Sequence, residues 1–314
     1  MNESGFDVVV VGGGVMGLAC AERISRLGGI RPERIALIER GSLGRASASW
    51  AGGGMLCPLP PDECPAPIRD LYERSLALYP GWCAALREES GIDPEYWQCG
   101  ALYRKDGREQ HLDWLAQVRN PRLLQALIAV LRRRGVRLIE GCALQSWIVE
   151  DGVLRGLRSS LGEIRCRQAV LAAGAWSGAL GAEGITPAKG QMLLLRAVPG
   201  ALAQIIIGEG GYLIPRRDGG VLVGSTVEEV GFDELPSAQA LELLRARAQR
   251  LWPQAAALPL ERHWAGLRPK PQGEAPLLGA HPQIRGLLLA TGHFRIGITL
   301  APASAERIAQ RIAA

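Results

Sequence analysis

The chain has 314 residues, of which 47% are hydrophobic and 21% are charged, and its formal net charge is +5. This composition is typical of a globular protein, and the length favours one large domain or two interleaved ones. No stretch approaches the roughly 18 consecutive apolar residues of a membrane helix. Asp7 precedes the first apolar run, where a secretory signal would carry basic residues. We therefore expect neither a membrane protein nor a secreted one.

The basic residues, cysteines and histidines argue against three further classes of protein. The densest basic run, LRRRGVR at 131–137, follows a predicted helix, where cations complement the helix dipole, so we do not expect a nucleic-acid partner. Seven cysteines without a CxxC pair favour a reduced, cytoplasmic protein. The four histidines show no ligand spacing, so no metal is expected, and no G-x-S-x-G of a serine hydrolase occurs.

The first elements of the chain have the pattern of a dinucleotide site. The run from Val8 to Val11 is typical of a buried parallel strand, and residues 12–17 fit G-x-G-x-x-G ahead of an amphipathic helix. In such a motif Gly12 permits the tight turn, Gly14 lets the backbone approach the pyrophosphate, and Gly17 lets the helix pack on the strand. The strand before the motif and the helix after it make it more specific than the glycines alone.

The next strand, RIALIER, ends at Glu39, whose carboxylate can accept hydrogen bonds from both ribose hydroxyls. Two later segments, 166–178 and 286–297, have the pattern of strands that return to the same sheet. An NAD enzyme typically uses one contiguous nucleotide domain, whereas a chain that leaves and returns is typical of flavoproteins. The order of elements therefore favours FAD over NAD.

The stretch GHFRIGITLAP, 292–302, lies between an apolar predicted strand, GLLLAT, and a predicted helix, APASAERIAQRIAA. A glycine-flanked turn in this position brings backbone N–H groups and a helix N-terminus to one point. Such a point suits a negatively charged or electron-rich ligand. We expect this turn to form part of the same site.

Seven segments together resemble the D-amino-acid-oxidase superfamily of FAD enzymes, and within it the glycine oxidases of thiamine-thiazole biosynthesis. They are VVVVGGGVMGLACA, SASWAGGGML (47–56), AVLAAGAWSG (169–178), KGQML (189–193), GGYLIPRRDGGVLVGSTVEEVGF (210–232), WAGLRP (264–269) and GHFRIGITLAP. G-x-G-x-x-G alone is shared with many families. The ordered set YLIPR, VGST, WAGLRP and GHFR is much more specific, and the matches run along nearly the whole chain.

The resemblance implies an α/β fold. A Rossmann-type FAD-binding domain would be interleaved with a substrate domain built on a mixed, largely antiparallel sheet. Residues 1–82, 120–178 and 270–314 would form the FAD-binding domain, and residues 83–119 and 179–269 the substrate-binding domain.

The resemblance also implies the chemistry. Non-covalently bound FAD would accept a hydride at N5 from the α-carbon of glycine, sarcosine or a small D-amino acid. The imine would hydrolyse to a 2-oxo acid (glyoxylate from glycine) and ammonia or an amine, O₂ would be reduced to H₂O₂, and the glycine imine would feed thiazole synthesis. The partners would be an amine or amino acid and O₂, without nucleic acid or membrane, and the protein is a possible homo-oligomer.

Arg268 and Tyr212 are the candidates for holding the substrate carboxylate, because a guanidinium matches a carboxylate bidentately and a phenol adds a donor. The resemblance places Arg295 on the substrate side, and Met55 and Val227 at the rim of the substrate pocket. This chemistry needs no acid or base, so His293 is expected to position backbone. The candidate cofactor-binding residues are Gly12, Gly14, Val15, Met16, Gly17, Glu39, Arg40, Ala48, Ser49, Gly53, Gly54, Met55, Leu144, Ala173, Gly174, His293, Phe294, Arg295, Ile296, Gly297, Ile298 and Thr299.

The sequence departs from the family pattern in three places. Residues 107–124 are shorter than the corresponding region of the family, the tail after Ile312 is clipped, and Ile296 stands where the family commonly has Asn. Three alternatives therefore stay open at this point: a dehydrogenase of the same fold with an acceptor other than oxygen, the flavin domain of a tRNA-modifying enzyme, and a scaffold that has lost its flavin.

Overall fold

The computed structural model describes residues 5–27, 29–45, 47–58, 60–208 and 210–314. The helices are α1 Val15–Ile24, α2 Ala48–Ala51, α3 Arg69–Ser90, α4 Asn120–Arg134, α5 Ala238–Leu251 and α6 Gly297–Ala313. The strands are β1 Phe6–Val11, β2 Ile35–Ile38, β3 Ala101–Lys105, β4 Arg108–His111, β5 Arg137–Ile139, β6 Leu144–Glu150, β7 Val153–Ser159, β8 Gly162–Leu171, β9 Thr186–Arg196, β10 Ile205–Gly208, β11 Gly211–Pro215, β12 Gly220–Gly224, β13 Leu260–Lys270, β14 Leu277–Ala280 and β15 Leu287–Thr291.

The first sheet has the strand order β14-β15-β8-β1-β2-β5, and β6 and β7 extend it beside β8. β15, β8, β1, β2 and β5 are parallel to one another, and β14 is antiparallel to β15. This arrangement is the Rossmann type that the sequence predicts. The returns predicted at 166–178 and 286–297 are β8 and β15, which confirms that the chain comes back to its first sheet twice.

β1 lies at the centre of this sheet and is buried on both faces. Val8 and Val10 pack with α1, α4 and α6, whereas Val9 and Val11 pack with the layer formed by β6, β7 and β8. A strand covered on both faces has no need of alternating polar residues, which explains the uninterrupted valine run.

The second sheet has the order β13-β9-β12-β11-β10-β3-β4. Among the described residues its pairs are antiparallel except for β10 and β3, which run parallel. The mixed, largely antiparallel sheet that the resemblance implies is therefore confirmed, and β3 and β4 form its far edge. α5 packs on one face of this sheet through Leu244 and Ala248.

Two helices begin earlier than the sequence pattern indicates. α1 begins at Val15 rather than Gly17. α6 begins at Gly297, ahead of the predicted start near Ala301, although it contains Pro302. Pro302 has no N–H to donate to the Ile298 carbonyl one turn earlier. The Tyr79 hydroxyl from α3 donates to that carbonyl instead, so a tertiary contact replaces the missing helix bond.

The basic run at 131–137 ends α4, as predicted. Gly135 follows the helix with a left-handed φ of 86°. Arg134 pairs with Glu22 of α1 and with Glu89 of α3. Arg134 therefore connects α4 to α1 and α3 through ion pairs.

The predicted domain boundary at 82/83 falls inside α3, which is continuous from Arg69 to Ser90. Tyr79, Cys83 and Leu86 of α3 belong to the same apolar core as α1, α4 and α6. We propose that the whole of α3 belongs to the FAD-binding domain, with the boundary after Ser90. The other expected boundary on this stretch, at 119/120, coincides with the start of α4.

Candidate active site

A cleft lies where the carboxyl ends of β1, β2 and β8 meet the end of β13 and the beginning of α6. The predicted cofactor residues all line it except Gly17, Ile296 and Thr299, and Arg268 of the predicted substrate residues lines it as well. The lining also includes residues that the sequence pattern did not predict: Val11, Gly13, Ile38, Ser42, Arg45, Ser47, Gly52, Cys142, Ala143, Ala172, Ala175, Trp176, Ala179, Leu180, Leu267, Pro269, Ala290 and Thr291.

The glycines after β1 are required by close backbone contacts. Gly12 has a φ of 113°, and a Cβ placed there would lie 2.3 Å from the Ala172 carbonyl oxygen. A Cβ at Gly17 would lie 1.9 Å from the Gly12 carbonyl oxygen, so only glycine lets α1 pack on the turn. Gly14 is the N-cap residue of α1 and supplies no capping side chain. Gly14, Val15 and Met16 line the cleft, so the positive end of the α1 dipole faces it, as phosphate binding requires.

Glu39 lies directly after β2, beside this turn. Its carboxylate accepts hydrogen bonds from the Gly13 N–H at 2.6 Å and the Gly41 N–H at 2.9 Å. These bonds fix the carboxylate at the end of the strand, where the dinucleotide pattern places the ribose.

The segment from Ser47 to Met55 crosses the cleft above the glycine turn. Ser49 Oγ accepts a hydrogen bond from the Val15 N–H at 2.9 Å. The buried Asn120 donates from Nδ2 to the Ser49 and Gly52 carbonyl oxygens at 2.7 and 2.9 Å. Gly54 has a φ of 79°, and a Cβ there would lie 2.1 Å from the Val118 carbonyl oxygen. The backbone of this segment is thus fixed from both sides.

A buried arginine of the second sheet also holds this segment. Arg216 donates from Nη2 to the Gly53 carbonyl at 2.7 Å, and from Nη1 to Gln117 Oε1 at 2.6 Å and the Val118 carbonyl at 3.0 Å. Burial lowers the pKa of Arg216 to about 10, which leaves it charged at neutral pH. Arg216 belongs to the YLIPR motif, but the sequence pattern predicts no role for it in the site.

The turn that follows β15 leads into α6 at the floor of the cleft. Phe294 adopts a φ of 45°, and its N–H donates to the Pro269 carbonyl at 3.0 Å. His293 is buried, and its Nε2 lies 3.0 Å from Ser304 Oγ. Burial lowers the pKa of His293 to about 3, so the ring is neutral. Thr299, which does not line the cleft, donates from its hydroxyl to the Met55 carbonyl at 3.3 Å.

Arg268 lies on β13 and extends its guanidinium across the neighbouring strand β9. A Cβ at Gly190 would lie 2.0 Å from Nη1 of Arg268, so glycine at 190 makes the space for the guanidinium. Nη1 donates to the Thr226 carbonyl at 3.1 Å and Nη2 to Ser225 Oγ at 3.0 Å. Burial lowers the pKa of Arg268. Both of these hydrogen-bond partners are uncharged, and among the described residues no carboxylate forms an ion pair with Arg268.

Tyr212 and Val227 do not line the cleft itself. Tyr212 is buried on β11, with its ring against Gly224 and beside Gly53. Val227 follows β12 and is 47% exposed. Their assignment to the substrate pocket stays a prediction. Arg295 lines the cleft and is exposed, close enough to Arg268 to contribute to the lowering of its pKa.

Arg40 and Trp176 form one wall of the cleft. The Arg40 guanidinium carbon lies 3.4 Å from the centre of the Trp176 ring, within the range of a cation–π contact. The Phe232 ring packs on the same indole at a centroid distance of 5.6 Å. Trp176 belongs to the motif AVLAAGAWSG, but the motif does not predict its position in the cleft wall. That position depends on how residues 174–180 fold.

These features fit a dinucleotide cofactor. The helix N-termini of α1 and α6 both face the cleft, and the glycine backbones leave room that a Cβ would fill. The part of the chain that the structure describes contains no cluster of His, Cys, Asp and Glu arranged to hold a metal ion. None of the helices in the described ranges combines the length and apolar character needed to span a bilayer.

Comparisons with known proteins identify the family. The family model "FAD dependent oxidoreductase" matches residues 7–121 and 111–311. A glycine oxidase of Pseudomonas aeruginosa is 38% identical over 96% of this chain and 93% of its own length. The bifunctional protein ThiO/ThiG of Trichormus variabilis is 32% identical over 98% of this chain and 52% of its own length.

The structural comparison agrees with the sequence comparisons. The crystal structure of a glycine oxidase from Bacillus cereus superposes with a TM-score of 0.90 at 26% identity, covering 98% of this chain and 95% of that one. The chain therefore belongs to the family of FAD-dependent oxidoreductases that includes the glycine oxidases, and FAD is its cofactor.

Proposed function

We propose that this protein oxidises glycine and related small amines, such as sarcosine and small D-amino acids, to a 2-oxo acid and ammonia or an amine, with O₂ reduced to H₂O₂. FAD, when bound, supplies the two-electron acceptor. The observation that carries the proposal is Arg268, a guanidinium at the cleft with no carboxylate partner among the described residues. A substrate carboxylate would provide the missing partner.

In this proposal the side chains position the substrate and take no part as acid or base. Arg268 binds the carboxylate through its planar fork, and Tyr212 contributes a hydroxyl donor beside it. His293 is assigned no role as acid or base, because burial lowers its pKa to about 3 and its Nε2 lies 3.0 Å from Ser304 Oγ. Holding the α-carbon in one orientation is the contribution expected of the protein, since the cofactor supplies the redox chemistry.

The preference for small substrates is supported by crowding next to the cleft. A Cβ at Gly53 would lie 2.7 Å from Ile214 Cδ1 and 3.4 Å from the Tyr212 ring, so there is little space between this loop and the second sheet. Met55 lies at the same boundary. One methylene changes discrimination by about 1–3 kcal/mol, so we expect glycine, sarcosine and D-alanine to differ in rate by modest factors.

We further propose that the glycine imine serves thiazole synthesis, which is supported by the relatives that carry the name ThiO in a bifunctional chain. A cytoplasmic location is supported by the cysteines of the described residues, all of which are free and most of which are buried. Homo-oligomerisation remains part of the proposal, and size-exclusion chromatography with light scattering would test it.

The deciding experiment is an anaerobic titration of the FAD-loaded protein with glycine, followed by flavin absorbance, with air admitted afterwards. We expect bleaching that reverses in air with one H₂O₂ formed for each flavin reoxidised. Bleaching that persists in air would contradict the oxidase and favour a dehydrogenase with another acceptor. If glycine, sarcosine and D-alanine all leave the flavin oxidised, the small-amine assignment is wrong.

A further inference from the structure

The motif Lys189-Gly190-Gln191 on β9 has no role in the proposed chemistry, yet two of its side chains are buried and polar. Lys189 is 3% exposed and Gln191 is fully buried. Burying such groups costs free energy unless they are fully hydrogen-bonded, so their partners indicate what they hold in place. Most of their hydrogen-bond partners lie in one segment, residues 225–237, which we name the strap and which joins β12 to α5. Gln191 Oε1 also lies 3.0 Å from His263 Nε2 on β13.

The strap is attached to β9 through its backbone at two places. The Lys189 N–H donates to the Glu228 carbonyl, and the Glu228 N–H donates back to the Lys189 carbonyl, both at 2.9 Å. The Gln191 N–H donates to Thr226 Oγ1 at 2.9 Å, and the Thr226 N–H donates to the Gln191 carbonyl at 3.3 Å. Val227 lies between these two attachments, so its position is set by β9.

The side chains of the motif hold the rest of the strap. Lys189 Nζ donates to Asp233 Oδ2 at 2.6 Å and to the Leu235 carbonyl at 3.1 Å. Gln191 Nε2 donates to Glu228 Oε1 at 2.9 Å, and Gln191 Oε1 accepts from the Ser237 N–H at 2.8 Å. These contacts close the strap over β9 from its beginning to its end.

The strap in turn orients Arg268. Its guanidinium donates to two groups of the strap, the Thr226 carbonyl and Ser225 Oγ. Gly190, the central residue of the motif, leaves the space that the guanidinium fills. The motif therefore sets both the space for Arg268 and the acceptors that fix the direction of its fork.

We infer that Lys189 and Gln191 are positioning residues for the substrate-carboxylate site and act through the strap on Arg268 and Val227. This inference rests on the proposed function for the identity of the substrate. The positioning itself is independent of turnover, because it concerns how tightly Arg268 binds any small carboxylate. Acetate, which cannot be oxidised by this chemistry, is therefore a suitable probe.

The test uses the FAD-loaded full chain with Lys189→Met and, as a milder change of the same ion pair, Asp233→Asn. Acetate binding is measured through the perturbation of the flavin spectrum, together with KM and kcat for glycine and the ratio of glycine to D-alanine turnover. We expect the Kd for acetate and the KM for glycine to rise about tenfold in Lys189→Met, with kcat changed less and FAD still bound. In the double variant Lys189→Met/Asp233→Asn, the Kd for acetate and the KM for glycine should be no higher than in Lys189→Met alone.

Lys270→Met is the matched control, because Lys270 pairs with Glu229 of the same strap but both side chains are exposed. It should leave the Kd for acetate within twofold. If Asp233→Asn and a folded Lys189→Met lower the melting temperature but leave acetate binding and KM unchanged, the inference is wrong and the network only stabilises the sheet. If Lys189→Met does not fold, Asp233→Asn decides by the same measurements.

If the proposed function were wrong, the measurements would give a different pattern. In that case wild-type protein would not be reduced by glycine, sarcosine or D-alanine, yet acetate binding would still separate the Lys189 and Lys270 variants. An active wild-type enzyme whose variants bind acetate normally would contradict only the present inference.

Discussion

Burial lowers the pKa of two basic side chains that line the cleft, Arg268 and His293, but only the histidine loses its charge. Arg268 remains charged although burial lowers its pKa, because a guanidinium does not lose its proton near neutral pH. His293 loses its charge, because burial lowers its pKa to about 3 and the structure offers it a serine rather than a carboxylate. Arg268 therefore keeps its positive charge at the cleft, while His293 is a neutral ring beside Ser304 of α6.

The burial of His293 predicts that part of the free energy of unfolding is lost at acid pH. The pKa is about 3 in the folded chain and ordinarily about 6.5. As the pH falls, His293 therefore binds a proton in the unfolded chain before it does so in the folded chain. The free energy of unfolding that is present above pH 6.5 is lost as the pH falls towards 3. Between pH 7 and pH 5 the loss from this residue is about 2 kcal/mol. Urea unfolding at saturating FAD should show this loss in the wild type and not in His293→Gln.

The exposed His111 provides the control, since His111→Gln should retain the wild-type dependence on pH. An identical pH dependence in His293→Gln and the wild type would mean that the histidine is not neutral in the folded protein.

At the scale of elements, helix α1 shows how a single residue determines the distance between a helix and a strand. Gly17 lies inside α1, where glycine is unfavourable for helix formation, and it is needed because the Gly12 carbonyl leaves no room for a side chain. Gly81 lies inside α3, on its exposed side, and a Cβ placed there would have nothing within 4 Å. The same residue type is thus required in one helix and replaceable in the other.

Gly17→Ala and Gly81→Ala should therefore have effects of opposite sign. Gly81→Ala should stabilise the protein by about 0.5–1 kcal/mol, because alanine favours the helix. Gly17→Ala should destabilise it by about 1–3 kcal/mol through overpacking and should weaken FAD binding, because α1 must move away from the turn. Chemical unfolding and FAD titration of the apoprotein measure both effects. A neutral Gly17→Ala variant would contradict the close packing.

At the scale of the whole molecule, the loop over the cleft is held by side chains from the β11–β12 turn and from α4. Arg216 belongs to the turn between β11 and β12, yet its guanidinium binds the carbonyl of Gly53, 163 positions away in the sequence. Asn120, at the start of α4, holds two further carbonyls of the same loop. The second sheet therefore helps to hold the loop that lines the cleft, besides contributing Arg268 to the lining.

Arg216→Met should weaken FAD binding about tenfold, because it leaves the Gly53 carbonyl and Gln117 without their buried donor. Arg216→Lys should recover part of the affinity, since lysine keeps the charge but cannot reproduce the fork. Arg217→Met removes the adjacent, exposed guanidinium and should bind FAD as the wild type does. Equal FAD affinities in Arg216→Met and Arg217→Met would show that the loop holds its shape without Arg216.

Much of the fold and the candidate site follows from local sequence pattern. The valine run, the glycine motif and Glu39 predicted the first βαβ unit, and the family motifs predicted the second sheet and about half of the residues that line the cleft. These features are readable because a strand buried on both faces, a glycine turn and a helix each leave a periodic or compositional pattern within a few positions.

The tertiary structure alone decided the hydrogen-bond partners of Asn120, Arg216, Lys189 and Gln191, and the early start of α6. In each case the partner is remote in the chain: Asn120 binds residues about 70 positions away, and the Ile298 carbonyl accepts from Tyr79, 219 positions away. Hydrogen bonds at such separations leave no spacing in the sequence. Polar groups that are buried in the folded chain cannot bond to water and need protein partners instead. Only the fold brings those partners within reach.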